Sequence, residues 1–458
     1  MRRFREHGRK GFTTTRIIAL GFLGAIFVGT LLLMLPIATV AGETTMPVDA
    51  LFTATTSVCV TGLVTVPTFS HWTIFGQVVI ALLAQVGGLG VITFTIIFLL
   101  ILGRKIGLKE RLLIQDAYNL DTIQGLVVLV KKVLKGTLII EGIGALLYMT
   151  VFVPEFGPIG VWKSIFNSIS AFCNAGMDVL GNNSLEPYVD NVLVNMTTML
   201  LIILGGLGFP VWWNIADILR RGRSDYRSYR RAFHYLKLHT KLVIAMTGIL
   251  IVVGAVAVFV LEYSNTETLG NLPLWQKIQA SLFQSVTTRT AGFATIPQSA
   301  LYKSTALISS LLMFIGGSPS GTAGGIKTTT IAILIITVYS IIQGGHETEL
   351  FGRRIGGHVV RRALAVFMVS LAVMLTALIA LSIAQPGSFI DCFYETMSAI
   401  ATVGLSRDFT STLNLAGKII IILTMYLGRI GPISLALLFN TKRRVRVKSY
   451  PEENVSVG

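Results

Sequence analysis

Four stretches of the sequence end in a glycine preceded by small or hydroxylated residues. They read Thr55-Thr-Ser-Val-Cys-Val-Thr-Gly62, Ser170-Ala-Phe-Cys-Asn-Ala-Gly176, Thr287-Thr-Arg-Thr-Ala-Gly292 and Ser398-Ala-Ile-Ala-Thr-Val-Gly404, with glycines 114, 116 and 112 residues apart. What such segments offer chemically is main-chain oxygen. A ring of backbone carbonyls can replace the hydration shell of a monovalent cation without adding fixed charge. A glycine lets the backbone take dihedrals that turn a carbonyl toward the ring. The candidate ligands are Val60, Thr61 and Gly62; Asn174, Ala175 and Gly176; Thr290, Ala291 and Gly292; and Thr402, Val403 and Gly404. Phe52, Phe166 and Tyr394 lie ten residues before their glycines and Phe283 nine, which predicts one short amphipathic helix per segment. The negative C-terminal end of each helix would then point at the cation.

Other site chemistries find no residues. The six histidines are scattered, and His234 and His239 lack the i, i+4 spacing of a helical metal pair. Cys59, Cys173 and Cys392 form no CxxC pair and read as buried small apolar residues. There is no Ser/His/Asp set and no pair of catalytic carboxylates at membrane depth, so an enzyme is not expected, nor a cofactor bound by this chain.

The elements that must carry the four segments are read from composition. The chain has 458 residues, 53% of them hydrophobic and 13% charged, with a mean hydropathy of +0.72. That excludes a soluble globular protein and a disordered one. Long apolar stretches near 17–36, 73–102, 133–153, 192–213, 242–261, 306–342, 363–384 and 416–440 are each long enough to cross a bilayer. Eight crossings put both termini on one side. Thirty of the 38 basic residues fall on that side, which the positive-inside rule makes cytoplasmic. The net charge of +16 therefore records topology and not nucleic-acid binding. The apolar run after the basic N-terminus has no A-x-A-like cleavage site and is read as a retained first helix. The opposite face holds eleven acidic residues, among them Glu186, Asp178 and Asp408, against six basic ones.

The expected fold is an all-α polytopic membrane protein of four pseudo-symmetric units, each a helix, a short pore helix, a glycine turn and a second helix, around a central pore. The boundaries are a cytoplasmic N-terminus at 1–16, repeat 1 at 17–102, a loop at 103–132 and repeat 2 at 133–219. After a loop at 220–241 come repeat 3 at 242–342, a loop at 343–362, repeat 4 at 363–440 and a tail at 441–458. Glycine breaks recur in the second helices, starting at Gly87, Gly205, Gly316 and Gly428. A straight helix over 306–342 would be about 55 Å long, too long for the hydrocarbon. The run Gly316, Gly317, Ser318, Pro319, Ser320, Gly321, Thr322, Ala323, Gly324 and Gly325 must break it, and is read as a movable gate with Lys327 just beyond. Arg429 interrupts the last span; it is either an electrostatic barrier under the filter or one half of a salt bridge to Glu141. Arg289, three residues before Gly292, is expected behind the filter, paired with an outer-face carboxylate.

The quartet, its spacing and the Ile315–Lys327 segment resemble the Ktr/Trk/HKT superfamily of potassium transporters, most closely the Ktr-type membrane subunit of bacteria. The resemblance runs from about Thr13 to Asn440. It implies potassium as substrate, Gly62 as a determinant of potassium over sodium, a gate role for the loop and Arg429, and a homodimer. It also implies a cytoplasmic nucleotide-binding ring as regulatory partner, with adenine nucleotide or NAD bound there. The tail Lys442–Lys448 would serve topology or meet anionic lipid headgroups. An ion-coupled, alternating-access cation transporter is the alternative.

Overall fold

The computed structural model describes residues 14–91, 93, 94, 96, 107, 126–222, 235–345, 347–431 and 453. The expected N-terminus up to residue 13, most of the 103–132 loop, the end of the eighth span and nearly all of the tail lie outside the described residues.

Along the chain a long helix, a shorter helix, a glycine turn and another helix recur four times. The long helices are α1 (Thr14–Leu33), α4 (Leu126–Phe156), α8 (Leu238–Glu262) and α12 (Gly357–Ala384), each apolar and long enough to cross a membrane. The shorter ones are α2 (Pro47–Cys59), α5 (Ile159–Cys173), α9 (Leu274–Thr287) and α13 (Phe389–Ala401). Their aromatics Phe52, Phe166, Phe283 and Tyr394 are buried and anchor them in the protein interior. The returning helices are α3 (Ile74–Leu89), α6 (Val192–Leu207) with α7 (Phe209–Gly222), α10 (Lys303–Phe314) with α11 (Thr328–Ile342), and α14 (Leu415–Ile430). Thr73, Asn191 and Asn414 cap the first turns of α3, α6 and α14 through their side-chain oxygens.

Small residues set the spacing. A Cβ on Gly144 of α4 would lie 2.6 Å from Ser168 Oγ, and one on Gly254 of α8 would overlap Ser285 Oγ. The long helices thus touch their shorter partners at backbone distance, the usual device where helices pack in lipid.

Several boundaries differ from the sequence reading. The long helices begin earlier than expected, at Leu126 and not 133, at Leu238 and not 242, and at Gly357 and not 363. The expected 192–213 span ends at Leu207; Gly208 takes φ +86°, and α7 leaves at 97°. Gly90 and Gly431, at φ +87° each, end α3 and α14 in the same way, a conformation costly for any residue with a Cβ. The fold is not purely helical either. Thr348–Leu350 and Arg353–Ile355 pair antiparallel across Phe351 and Gly352, both at positive φ, a hairpin turn.

Candidate functional site

Each glycine segment has one left-handed residue two places before its glycine, which in the first, second and fourth is the cap of the short helix. Val60, Asn174, Thr290 and Thr402 have φ of 56°, 60°, 68° and 53°, and Gly62, Gly176, Gly292 and Gly404 have φ of 96°, 66°, 83° and 97°. The residues between them keep negative φ. An alternation of hand along three residues turns successive carbonyls to one side of the strand. The four segments also close on one another in order. A Cβ on Gly62 would lie 2.7 Å from Ala175 O, on Gly176 2.5 Å from Ala291 O and on Gly292 2.6 Å from Val403 O; on Gly404 it would overlap Thr61 O. Each glycine therefore abuts the next segment's carbonyl, and the fourth returns to the first. The result is a closed ring of main-chain oxygen.

The loop between α10 and α11 lies against one side of this ring. Its two arms are stitched together: Gly316 N donates to Ile326 O at 2.9 Å and Thr328 N to Gly317 O at 3.1 Å. Its tip reaches the second unit, where Ser318 N donates to Gly206 O at 2.9 Å and Thr322 N to Gly205 O at 3.1 Å. A Cβ on Gly324 would overlap Thr402 Oγ1, so the tip touches the fourth segment as well. Arg429 donates to Thr322 O at 2.6 Å and also to Gly87 O, and Lys327 Nζ donates to Ala323 O at 2.7 Å. Two cations thus hold the loop through its carbonyls.

Two cavities flank the ring. One of about 440 Å³ is lined by all four ring glycines with Asp178, Glu186 and Asp408, on the side that the basic-residue count places outside. The other, of about 590 Å³, is lined by the loop residues Pro319–Gly321 and Ala323–Gly325 together with Lys327, Arg362 and Arg429. Ring and loop separate them.

Comparison with known proteins gives the family. The TrkH family, described as cation transport protein, matches residues 15–445. The chain belongs to the TrkH family of cation transport proteins. Ktr system potassium uptake protein B of Bacillus subtilis is 41% identical over 451 residues, covering 98% of this chain and 97% of its own length. Potassium/sodium uptake protein NtpJ of Enterococcus hirae is 38% identical, covering 98% of each chain. The crystal structure of the potassium transporter TrkH from Vibrio parahaemolyticus superposes with a TM-score of 0.71 at 16% identity, covering 95% of this chain and 87% of that one, a likeness of fold. This TrkH-family chain is therefore a multi-pass membrane protein of a transporter family, not an enzyme.

Within this TrkH-family structure, residues that the sequence reading passed over brace the ring. Gly62 N donates to Thr56 Oγ1 at 2.9 Å, Gly404 N to Ser398 Oγ at 3.0 Å and Met177 N to Ser170 Oγ at 3.1 Å. All three hydroxyls belong to residues six places before a ring glycine. The third segment has Val286 there, and Thr287 takes over by donating to Phe293 O at 2.6 Å. The shorter aromatic-to-glycine spacing of that segment is thus absorbed by a different brace. The glycines of the second helices serve contact and not only bending. A Cβ on Gly87, Gly205 or Gly428 would overlap the carbonyl of Val58, Phe172 or Ile400, at the ends of the short helices.

Two pairings differ from expectation. Arg429 makes no bond to Glu141, which instead accepts from Gln85 Nε2 at 3.1 Å and lies 3.8 Å from Cys173 Sγ, behind the second segment. The arginine lies at the loop, and its reach is spent on two carbonyls. Arg289 is buried behind the ring as expected, but its partner is Thr247 Oγ1 at 3.3 Å and not an outer carboxylate. Two of the acids counted on the opposite face are engaged elsewhere. Glu262 accepts from Asn265, Thr268 and the Tyr302 amide, and Glu395 accepts from Ser406 and Thr410.

Proposed function

We propose that this chain takes up potassium across the cell membrane through the glycine ring, which acts as selectivity filter. The closure of the four segments carries the reading: each glycine sits where a side chain would fill the space in front of the next segment's carbonyl. Carbonyl oxygens supply ligands for a dehydrated cation, and a helix C-terminus behind each adds negative potential. The names of the relatives from Bacillus subtilis and Enterococcus hirae support potassium, the second with sodium beside it. On this reading the four units make eight crossings about a pseudo-four-fold axis, with both termini cytoplasmic. The 440 Å³ cavity is the outer mouth and the 590 Å³ cavity the inner one.

The Gly316–Gly325 loop is the gate, held across the pathway by Arg429 and Lys327. The word "system" in a relative's name supports a partner component. We assign that role to a cytoplasmic nucleotide-binding ring beneath a homodimer, with adenine nucleotide or NAD on the partner and no cofactor on this chain. Rubidium flux into liposomes containing the purified protein, with sodium as competitor, tests the central claim. The expected result is uptake that excess sodium barely reduces. Sodium and rubidium crossing at equal rates would sink it.

A further inference from the structure

The tip of the loop holds a filter side chain as well as the backbone. Thr322 Oγ1 lies 2.9 Å from Asn174 Oδ1 and 3.2 Å from Phe172 O. Asn174 is the residue at which the second segment turns left-handed, two places before Gly176, and it is fully buried. Its Nδ2 has no hydrogen-bond partner among the described residues. The carboxamide is therefore held from the loop. The equivalent position in the first segment is Val60, which cannot hydrogen-bond by its side chain, and the hydroxyls of Thr290 and Thr402 have no partner among the described residues. The second segment is the one of the four whose turning residue is tied to the loop by a side-chain hydrogen bond.

The approach is close by construction. A Cβ on Gly205 would lie 2.7 Å from Thr322 Oγ1 and 2.8 Å from Asn174 Oδ1, so that glycine admits the pair. The same threonine offers its amide to Gly205 O and its carbonyl to Arg429, which fixes the hydroxyl between loop and filter.

We propose that the intramembrane loop is a positioning element for the filter as well as its gate: the Thr322 hydroxyl holds the Asn174 carboxamide, and through it the second segment, in the selective geometry. Displacing the loop then releases Asn174, so that opening and selectivity are coupled. This rests on the filter and gate reading above. A buried side chain that loses its partner keeps the cost of its desolvation, whereas a shape-preserving change of the donor alone leaves the packing as it was.

The test is the potassium-over-sodium preference of the full chain in liposomes, read for Thr322→Val, Thr322→Ser and Gly62→Ser. Thr322→Val keeps the shape and removes the donor; it is expected to lower the preference about fivefold, the size of one buried hydrogen bond. Thr322→Ser keeps the donor and should retain the preference. Thr322→Val with altered flux but an unchanged ion preference overturns the coupling. If Gly62→Ser relaxes selectivity in that same series, the filter stands and only the coupling falls; if Gly62→Ser also leaves it unchanged, the filter reading itself fails. Should the valine variant not reach the membrane, Thr322→Ala is read against the same outcomes.

Discussion

A glycine can be present because the backbone needs positive φ or because no atom fits beside it, and in Gly62, Gly176, Gly292 and Gly404 both reasons hold at once. Gly62→Ser would place a Cβ 2.7 Å from Ala175 O, so the ring must widen to accept it. Rubidium flux measured against sodium should then show the preference for the larger ion reduced; a serine variant with unaltered preference would remove Gly62 from the filter. The braces make a second claim. Thr56→Val leaves the buried Gly62 amide unsatisfied, at a cost of about 1–3 kcal/mol, and should lower thermal stability while Thr56→Ser does not. A melting temperature equal in Val and Ser variants would show that the hydroxyl does not hold the segment. The four glycines were legible because their spacing repeats. Thr56, Ser170 and Ser398 were not, although each lies six places before its glycine, because hydroxyls abound in these segments and only their contact with a glycine-segment amide singles them out.

Among the elements, the break in the third unit followed from glycine content, since no single helix could run from 306 to 342 within the hydrocarbon. The glycine break starting at Gly205 was legible too, but not that the span ends there in a 97° turn, because the apolar pattern continues through Phe209 to Trp213 and masks it. Its reason is local: a Cβ on Gly208 would lie 2.5 Å from Pro319 O, and Phe209 N donates to Ser320 O at 3.3 Å, so the corner is where the second unit grips the loop. The loop's resting place therefore depends on contacts from the second and fourth units. Gly205, Gly206 and Phe209 tie it to the second, and Arg429, which also donates to Gly87 O of the first unit, ties it to the fourth. Arg429→Gln keeps much of the side chain's length but removes the charge from two charge-assisted bonds, each worth about 1.5–3 kcal/mol. The expected outcome is a loop more often displaced, seen as faster rubidium uptake in the absence of any partner. Uptake at the wild-type rate would show that Arg429 does not restrain the gate.

At the scale of the molecule, the four units are clasped in a circle at their ends on the side of the acidic cavity. Trp162 Nε1 donates to Gln77 Oε1 at 2.8 Å, Leu185 N to Ala294 O at 2.9 Å, Arg407 to the carbonyls of Gln298, Ser299 and Leu301, and Lys418 Nζ to Asp49 Oδ1 at 2.6 Å. The acids counted on that face therefore divide into two groups. Asp49, Asp391, Glu262 and Glu395 are structural staples, and Asp178, Glu186 and Asp408 are the acids that line the cavity at the ring. Burial raises the Asp178 carboxyl to about 6, with the Leu180 and Gly181 amides, the Ser184 hydroxyl and the Lys163 ammonium pulling the other way. Burial, and then the charge of Asp408, also raises Glu186. Asp178 is therefore ionised above about pH 6 and neutral below it, so the cavity at the ring loses negative charge on acidification. Protonation of Asp178 also favours the folded state, since its folded pKa exceeds the unfolded one, and weaker uptake in acid is then not unfolding driven by this group. A unit charge about 10 Å from an entering cation is worth about 1 kcal/mol at an effective dielectric of 20–40, or roughly fivefold in apparent affinity. The rubidium KM should therefore rise by about that factor as the outer pH falls from about 7.5 to about 5.5. Asp178→Asn should show the raised KM already at the higher pH and a flatter profile between the two, and identical profiles for wild type and variant would remove Asp178 from the entry path.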